Sequence, residues 1–373
     1  MSTPLLFTPL TLRGTTLRNR VVLSPMCQYH AVDGKVQDWH LAHHARFALG
    51  GLGAAIVEAT AVAPEGRITP WCTGLWSDDH IAGWAQITKL YKTHGIVPGI
   101  QIGHSGRRGS CARPWEGAHP LALKGPGEPW QTVGASAIPE REGYPVPREL
   151  TAADIEDLVE AFRKAALRAR TAGFDLIEVH GAHGYLLHSF FSPHSNKRTD
   201  VYGGSLENRM RLPLLVAETV RRVWPETLPV LYRVSSVDGV EGGLAIADTV
   251  ALAKELARRG IDVIDCSSGG MTGSLSMSTA KIKPGFQVQY AEQIRREAGV
   301  KTMAVGAILD GRQAERILAE SRADLIAIGR ELLADPNWCL HAALALGHEQ
   351  PYSVLPIGHG FFLERRAAVL DRS

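Results

Sequence analysis

Leu176-Ile177-Glu178-Val179-His180-Gly181-Ala182-His183-Gly184-Tyr185 is the stretch on which the fold turns. Its first half is apolar apart from Glu178 and contains β-branched residues, as a strand buried on both faces does. Its second half sets His180, His183 and Tyr185 just past the strand end, between glycines. Parallel α/β folds place their chemistry at that end. Two imidazoles can hold an oxygen that gains negative charge, and a phenol can give up a proton. His180 and His183 could instead form a metal pair, but no third ligand stands at suitable spacing.

Outward from this stretch, short apolar runs recur at 21–23, 55–59, 97–101, 176–180, 230–234, 263–266, 302–305 and 325–328. Helical patterns lie between or after them at 39–49, 79–93, 152–172, 206–223, 246–259, 288–298, 312–319 and 337–346. Thr151 and Asp154 have the spacing of a capping box, and Gly173, Gly260 and Gly299 stand where helices end. Strand and helix alternating in this way predict a (β/α)8 TIM barrel, an α/β fold, as a single domain over 1–373. A doubly wound sheet would need Gly-x-Gly-x-x-Gly after an early strand. Gly50-Gly51-Leu52-Gly53 precedes one instead, and is read as a helix end. A long segment at 104–150, with Trp115 and Trp130, interrupts the third unit and is read as a lid over the barrel mouth. A C-terminal tail occupies 351–373.

Composition bounds the function. The chain has 373 residues, 45% hydrophobic and 21% charged, as suits a globular protein with a large core. A formal net charge of +2 gives no reason to expect nucleic acid or an anionic membrane as the main partner. No apolar run approaches the roughly eighteen residues of a membrane span. The N-terminus has no basic start or long apolar stretch, so no signal peptide is read there. Cys27, Cys72, Cys111, Cys266 and Cys339 are scattered without a Cys-x-x-Cys, which speaks against a metal or disulfide framework and for a reducing cytoplasm.

The strand ends collect the remaining candidates. Strand one delivers Pro25, Met26, Cys27 and then Tyr29, strand two Ala59, strand three Gln101, and strand five Arg233. Gly306 and Gly329 follow strands seven and eight. They either make tight turns or free backbone amides for an anion; with Arg330 attached, a phosphate corner is preferred. Arg233 in an apolar strand needs an anionic partner, either a carboxylate such as Glu58 or a cofactor edge that becomes negative. Gln101 can donate and accept beside it. Cys27 is by default a small buried hydrophobe, and nothing marks it as a nucleophile.

Taken together, these residues resemble the Old Yellow Enzyme family of FMN-dependent ene-reductases, and within it the thermophilic-like branch. The resemblance runs nearly end to end. It rests on Asn19-Arg20, on Ser24-Pro25-Met26-Cys27 with Tyr29, and on His180 to Tyr185. It continues through Ser192-Pro193, Ser195-Asn196, Arg198, Asp200, Tyr202-Gly203-Gly204-Ser205 and Asn208-Arg209, and closes with Asp324-Leu325-Ile326 and Gly329-Arg330.

The resemblance implies non-covalent FMN at the mouth, reduced by NADPH or NADH, and a small electrophilic alkene as substrate. By matching position, Pro25, Met26, Cys27, Ala59, Gln101 and Arg233 would line the flavin ring, and Gly306, Gly329 and Arg330 would hold its phosphate. His180 and His183 would bind the activating oxygen, Tyr185 would protonate the substrate, Cys27 would tune the flavin, and Tyr29 would touch substrate. A homo-oligomer is also implied, with Phe362 and Arg365 reaching a neighbouring subunit's site. Phe362 departs from the tryptophan usual there, and Arg108 from a lysine.

Overall fold

The computed structural model describes residues 3–272 and 282–370. It opens with an antiparallel hairpin of β1 (Leu10–Leu12) and β2 (Thr15–Leu17). Then come β3 (Val21–Leu23), α1 (Asp38–Ala48), β4 (Ala54–Ala61), α2 (Ile81–Thr93) and β5 (Val97–Gly103). Residues 104–150 follow, holding the two-residue strands β6 (Val133–Gly134) and β7 (Arg148–Glu149), which pair with each other. The chain continues with α3 (Ala152–Thr171), β8 (Leu176–Gly181), α4 (Leu186–Phe191), α5 (Leu206–Val223), β9 (Val230–Ser235) and α6 (Ile246–Arg258). It ends with β10 (Val263–Ser267), α7 (Val288–Ala298), β11 (Lys301–Ala304), α8 (Gly311–Ala319), β12 (Leu325–Ile328), α9 (Arg330–Ala334), α10 (Trp338–Ala345) and α11 (Ile357–Leu370).

Strands β3, β4, β5, β8, β9, β10, β11 and β12 pair in that order, all parallel, and β12 returns to β3 to close the barrel. The fold is the expected (β/α)8 barrel, and every expected strand is one of its staves. Alternation along each strand divides the core in two. Outward residues such as Leu23, Ile177, Val179, Tyr232 and Ile264 pack under the helices. Inward residues such as Val22, Ile56, Leu176, Leu231, Met303 and Leu325 fill the barrel, and Leu12 and Leu17 of the hairpin close its lower end.

The boundaries moved little. Strand β4 runs two residues longer at its C-terminal end than expected, because its register with β5 slips between Val57 and Thr60. Such a bulge bends the strand and turns the intervening residues out of the ladder, here Glu58 and Ala59 at the mouth. Several elements were not anticipated, among them the hairpin, α4 and α11. The hairpin is too short to show a period. Every residue of α4 is buried, so it has no polar face to read. No element was expected in the tail at 351–373, yet α11 is a helix whose Ile357, Phe362 and Val369 are exposed, so no apolar face is buried to give it a pattern.

Helix α3 begins as its sequence spacing predicts. Thr151 Oγ1 accepts from the Asp154 amide at 3.2 Å, and Asp154 Oδ2 accepts from the Thr151 amide at 2.8 Å. Thr151→Ala removes half of this exchange. It should cost about 1 kcal/mol, read as a lower urea midpoint with an unchanged slope.

Candidate active site

Strand β8 alternates Leu176, Glu178 and His180 into the barrel, so the inner face turns from apolar to polar toward the mouth. Its neighbours supply the matching layer. Register sets Gln101 of β5 beside Glu178, Arg233 of β9 beside His180, and Asp265 of β10 beside Arg233. Gln101 Nε2 donates to Glu178 Oε1 at 2.8 Å, and Arg233 Nε lies 3.1 Å from Asp265 Oδ2. All four residues are buried. Burial pushes both carboxyls up, Glu178 far above the usual range, with the charge of Asp265 adding to it. Arg233 stands against Asp265, so the proton between the two carboxyls resides on Glu178.

The partner of Arg233 corrects one expectation. Glu58, the carboxylate proposed for it, faces His40 at 3.4 Å and accepts from the Gln28 amide at 3.0 Å. The bulge in β4 turns Glu58 away from β9. Asp265 had not been singled out, since an acidic residue inside the run Val-Ile-Asp-Cys reads like any interruption.

The turn after β8 brings the three candidate side chains together. The rings of His180 and His183 have centroids 5.1 Å apart, and Tyr185 lies 5.0 Å from His180 and 6.5 Å from His183. All three pairs are nearly perpendicular. The turn is left-handed at His183 (φ 60°) and Gly184 (φ 75°), a conformation L side chains rarely hold without support. Support comes from several sides. The His183 amide donates to Ser235 Oγ at 2.9 Å, and the Gly184 amide donates to His188 Nδ1 at 2.8 Å. His188 Nε2 lies 2.8 Å from Asp238 Oδ1, both side chains fully buried. Asp238 Oδ2 in turn accepts from Ser192 Oγ and the Leu244 amide.

Hydrogen bonding sets the tautomer of His180. His180 Nδ1 accepts from the Ala182 amide at 3.3 Å, which puts the proton on Nε2. His183 Nε2 is 2.7 Å from Ser267 Oγ, which also accepts from Gln287 Nε2 at 3.1 Å. When Ser267 donates to His183 Nε2, His183 Nδ1 is the N–H donor. Burial, and then the charge of Arg233, holds both imidazoles well below the usual histidine range. They are neutral N–H donors at physiological pH. Burial pushes the Tyr185 phenol up, while Arg108 pulls against it, so Tyr185 keeps its proton.

The other sequence candidates divide into two groups. Tyr29 (φ 56°) comes to the mouth and stands edge-on to Trp115 of the 104–150 segment, at 5.7 Å. Ala59 shares a small cavity with His180 and Tyr185. Burial keeps Cys27 a thiol, pushed well above the usual range. Met26 packs under Gly329, where an added Cβ would meet its sulfur at 3.3 Å. Phe362 and Arg365 are exposed on α11, with Arg365 over the ring of Phe361, and neither lines a cavity at the mouth. A cavity of about 640 Å³ beside the mouth is walled mainly by 107–145 and opens on Tyr29 and Tyr185. Sequence reasoning missed Ser235, Ser267, His188 and Asp238, whose roles depend on neighbours far along the chain.

Fold and site together define a (β/α)8 barrel with two neutral imidazoles and a protonated phenol at its mouth. Residues 5–348 match the family model described as NADH:flavin oxidoreductase / NADH oxidase family, and the chain belongs to that family. It is 46% identical to an NADPH dehydrogenase of Bacillus subtilis (strain 168) over 351 residues, 94% of this chain and 97% of the relative. Among solved structures it is similar to morphinone reductase, with a TM-score of 0.76 and 29% identity over 93% of this chain and 90% of the other. A 2-naphthoyl-CoA reductase complex shares the fold at a TM-score of 0.82 and 24% identity. There the match covers 94% of this chain but only 53% of the longer one. The protein is an enzyme, an FMN-dependent oxidoreductase of the Old Yellow Enzyme type that uses a reduced nicotinamide.

The residues present suit a flavin. Arg233 is buried beside Asp265, and its terminal Nη groups make no hydrogen bond among the described residues, so N–H donors are left over for an electron-rich ring edge. Gly306 (φ 107°) leaves no room for a side chain, since a Cβ would meet Gln287 Oε1 at 2.7 Å. Gly329 precedes α9, whose first amides have no intrahelical acceptor, and Arg330 is exposed at its start. That set of donors matches a phosphate.

Buried neutral imidazoles make stability depend on pH. Burial lowers His43 and His104 to about 4, and His44, His180 and His183 shift the same way. An unfolded histidine titrates near pH 6.5, so below that pH the unfolded chain takes up protons that the native chain resists. Stability is complete above about pH 6.5 and falls as pH drops toward 4. The urea midpoint should therefore be lower at pH 5 than at pH 7.5, and His43→Phe should flatten that difference.

Proposed function

We propose that this enzyme reduces carbon–carbon double bonds conjugated to a ketone, aldehyde, imide or nitro group, with Tyr185 as the proton donor. One observation carries the reading: two neutral imidazole donors and a protonated phenol are held within 6.5 Å of one another at the end of β8. When bound, FMN supplies hydride storage between the nicotinamide and the β carbon of the alkene. Pro25, Met26, Cys27, Ala59, Gln101 and Arg233 line its ring in this reading, and Gly306, Gly329 and Arg330 hold its phosphate. Arg233 offsets negative charge at the ring, and the Cys27 thiol acts as an uncharged neighbour that tunes it.

The substrate oxygen accepts hydrogen bonds from His180 Nε2 and His183 Nδ1. As neutral donors they polarise the conjugated system without adding charge to the ground state, and they strengthen as the oxygen gains electron density. Tyr185 O–H gives its proton to the α carbon, and solvent returns one to the phenolate. Tyr29 walls the substrate. The segment 104–150 acts as the lid, since it closes over Tyr29 and Tyr185. NADPH is the preferred donor in this reading, after the name of the relatives. A homo-oligomer in which Phe362 and Arg365 reach a neighbour's mouth is supported by the exposed apolar face of α11. The five thiols suit a reducing cytoplasm.

Anaerobic stopped-flow absorbance tests the reading. NADPH or NADH should bleach the flavin band, and 2-cyclohexenone should restore it. A band that bleaches but does not return would leave a redox sensor, or a reductase of nitro compounds and other xenobiotics, as the function. Tyr185→Phe should slow the return by about a hundredfold while bleaching stays within about twofold of wild type. Equal loss in both phases would remove Tyr185 as the donor. Replacing His180 and His183 together should abolish the long-wavelength charge-transfer band formed with a bound phenol.

A further inference from the structure

The Arg108 guanidinium, half-buried and at the end of the short turn after β5, touches three separate segments: the turn after β8, the chain beyond β10 and the wall of the cavity. Its Nη1 donates to the carbonyl of His183 at 2.6 Å and also to the carbonyl of Gly270, beyond β10. Its Nη2 lies 3.5 Å from Glu140 Oε1, in the segment that walls the cavity. The guanidinium carbon stands 5.7 Å from the centre of the Tyr185 ring. Gly184 makes this approach possible: a Cβ there would meet the Gly270 carbonyl oxygen at 2.3 Å and Arg108 Cδ at 3.0 Å.

We propose that Arg108 is a positioning residue for Tyr185, and that it ties the 104–150 segment to the orientation of that phenol. The proposal rests on the alkene-reducing reading for what Tyr185 does, but the contacts themselves are independent of it. A guanidinium is a rigid planar fork with five N–H donors, so it can hold both carbonyls and face a carboxylate at once. A lysine ammonium is a single point of charge on a flexible stem and does not hold three such acceptors in a fixed geometry. By capturing the His183 carbonyl, Arg108 holds the left-handed turn from which Tyr185 projects. By lying against the ring, it adds a cation–π contact that restricts the ring's tilt and stabilises the phenolate left after proton transfer. Glu140 brings the segment above into the same arrangement, so displacement of that segment loosens the acid.

The test uses flavin-loaded Arg108→Met, Arg108→Lys and Glu140→Gln proteins, with 3-fluorotyrosine incorporated for fluorine NMR. The Tyr185 resonance is assigned by its absence from Tyr185→Phe. In wild type it should be one sharp line, and in Arg108→Met it should broaden or split. Return of the flavin band with 2-cyclohexenone should slow by about tenfold in Arg108→Met, with bleaching by NADPH within about twofold of wild type. Arg108→Lys should recover only part of the return rate, and Glu140→Gln should broaden the line less than Arg108→Met. An unchanged Tyr185 line in Arg108→Met, or bleaching and return falling together, overturns the proposal. If Arg108→Met does not retain flavin, Arg108→Lys decides alone: a protein indistinguishable from wild type in both line and return rate overturns it. A wild-type flavin band that never returns with the enone sinks the alkene-reducing reading instead, and the fluorine line still reports on the Arg108 clamp.

Discussion

Arg233 can stand inside the barrel only because Asp265 stands beside it. An unpaired guanidinium on the inner face of a closed barrel would carry a desolvation cost of several kcal/mol. The parallel register of β9 and β10 puts the two residues opposite each other. That pair then governs its surroundings. Asp265 takes the charge of the carboxyl pair, which leaves Glu178 as the acid that bonds to Gln101. Burial, with the charge of Arg233 adding to it, keeps His180 and His183 neutral. The donors at the mouth thus depend first on burial and then on the Arg233–Asp265 pair in the neighbouring strands.

Above that layer the design problem changes from charge to conformation. His183 and Gly184 are left-handed, and a turn of this kind holds one shape only if its surroundings impose it. Ser235 of β9, His188 of α4 and Arg108 after β5 each hold it from a different side. The rings of His180, His183 and Tyr185 therefore stand on a barrel strand and a braced turn rather than on a free loop, which is what precise placement requires. The His188–Asp238 contact carries this bracing down to the loop before α6, so the turn is joined to parts of the chain more than fifty residues away.

The segment 104–150 and the tail give the chain its individual surface. The first crosses the mouth, brings Trp115 against Tyr29, and encloses the cavity that opens on Tyr185. The second forms a helix with an exposed apolar face. Family membership covers residues 5–348, so α11 lies beyond the matched part.

The barrel was legible in the chain because its signal is local. Parallel strands are apolar on both faces, helices repeat with their own period, and turn residues stand between them, so the staves could be read one at a time. His180, His183 and Tyr185 were legible for the same reason, since they are neighbours in sequence at a strand end. The capping box of α3 is a matter of three residues' spacing. What tertiary structure alone decided is every pairing between distant strands. A buried arginine in β9 announces that it needs an anion, but only barrel closure and register choose Asp265 over Glu58, and only the bulge in β4 turns Glu58 toward His40. The hairpin that closes the barrel, the all-buried α4, the tautomer of His180 and the reach of Arg108 to three segments share that origin. Sequence specifies which groups must find partners; the partners are set by distances that exist only once the sheet has closed.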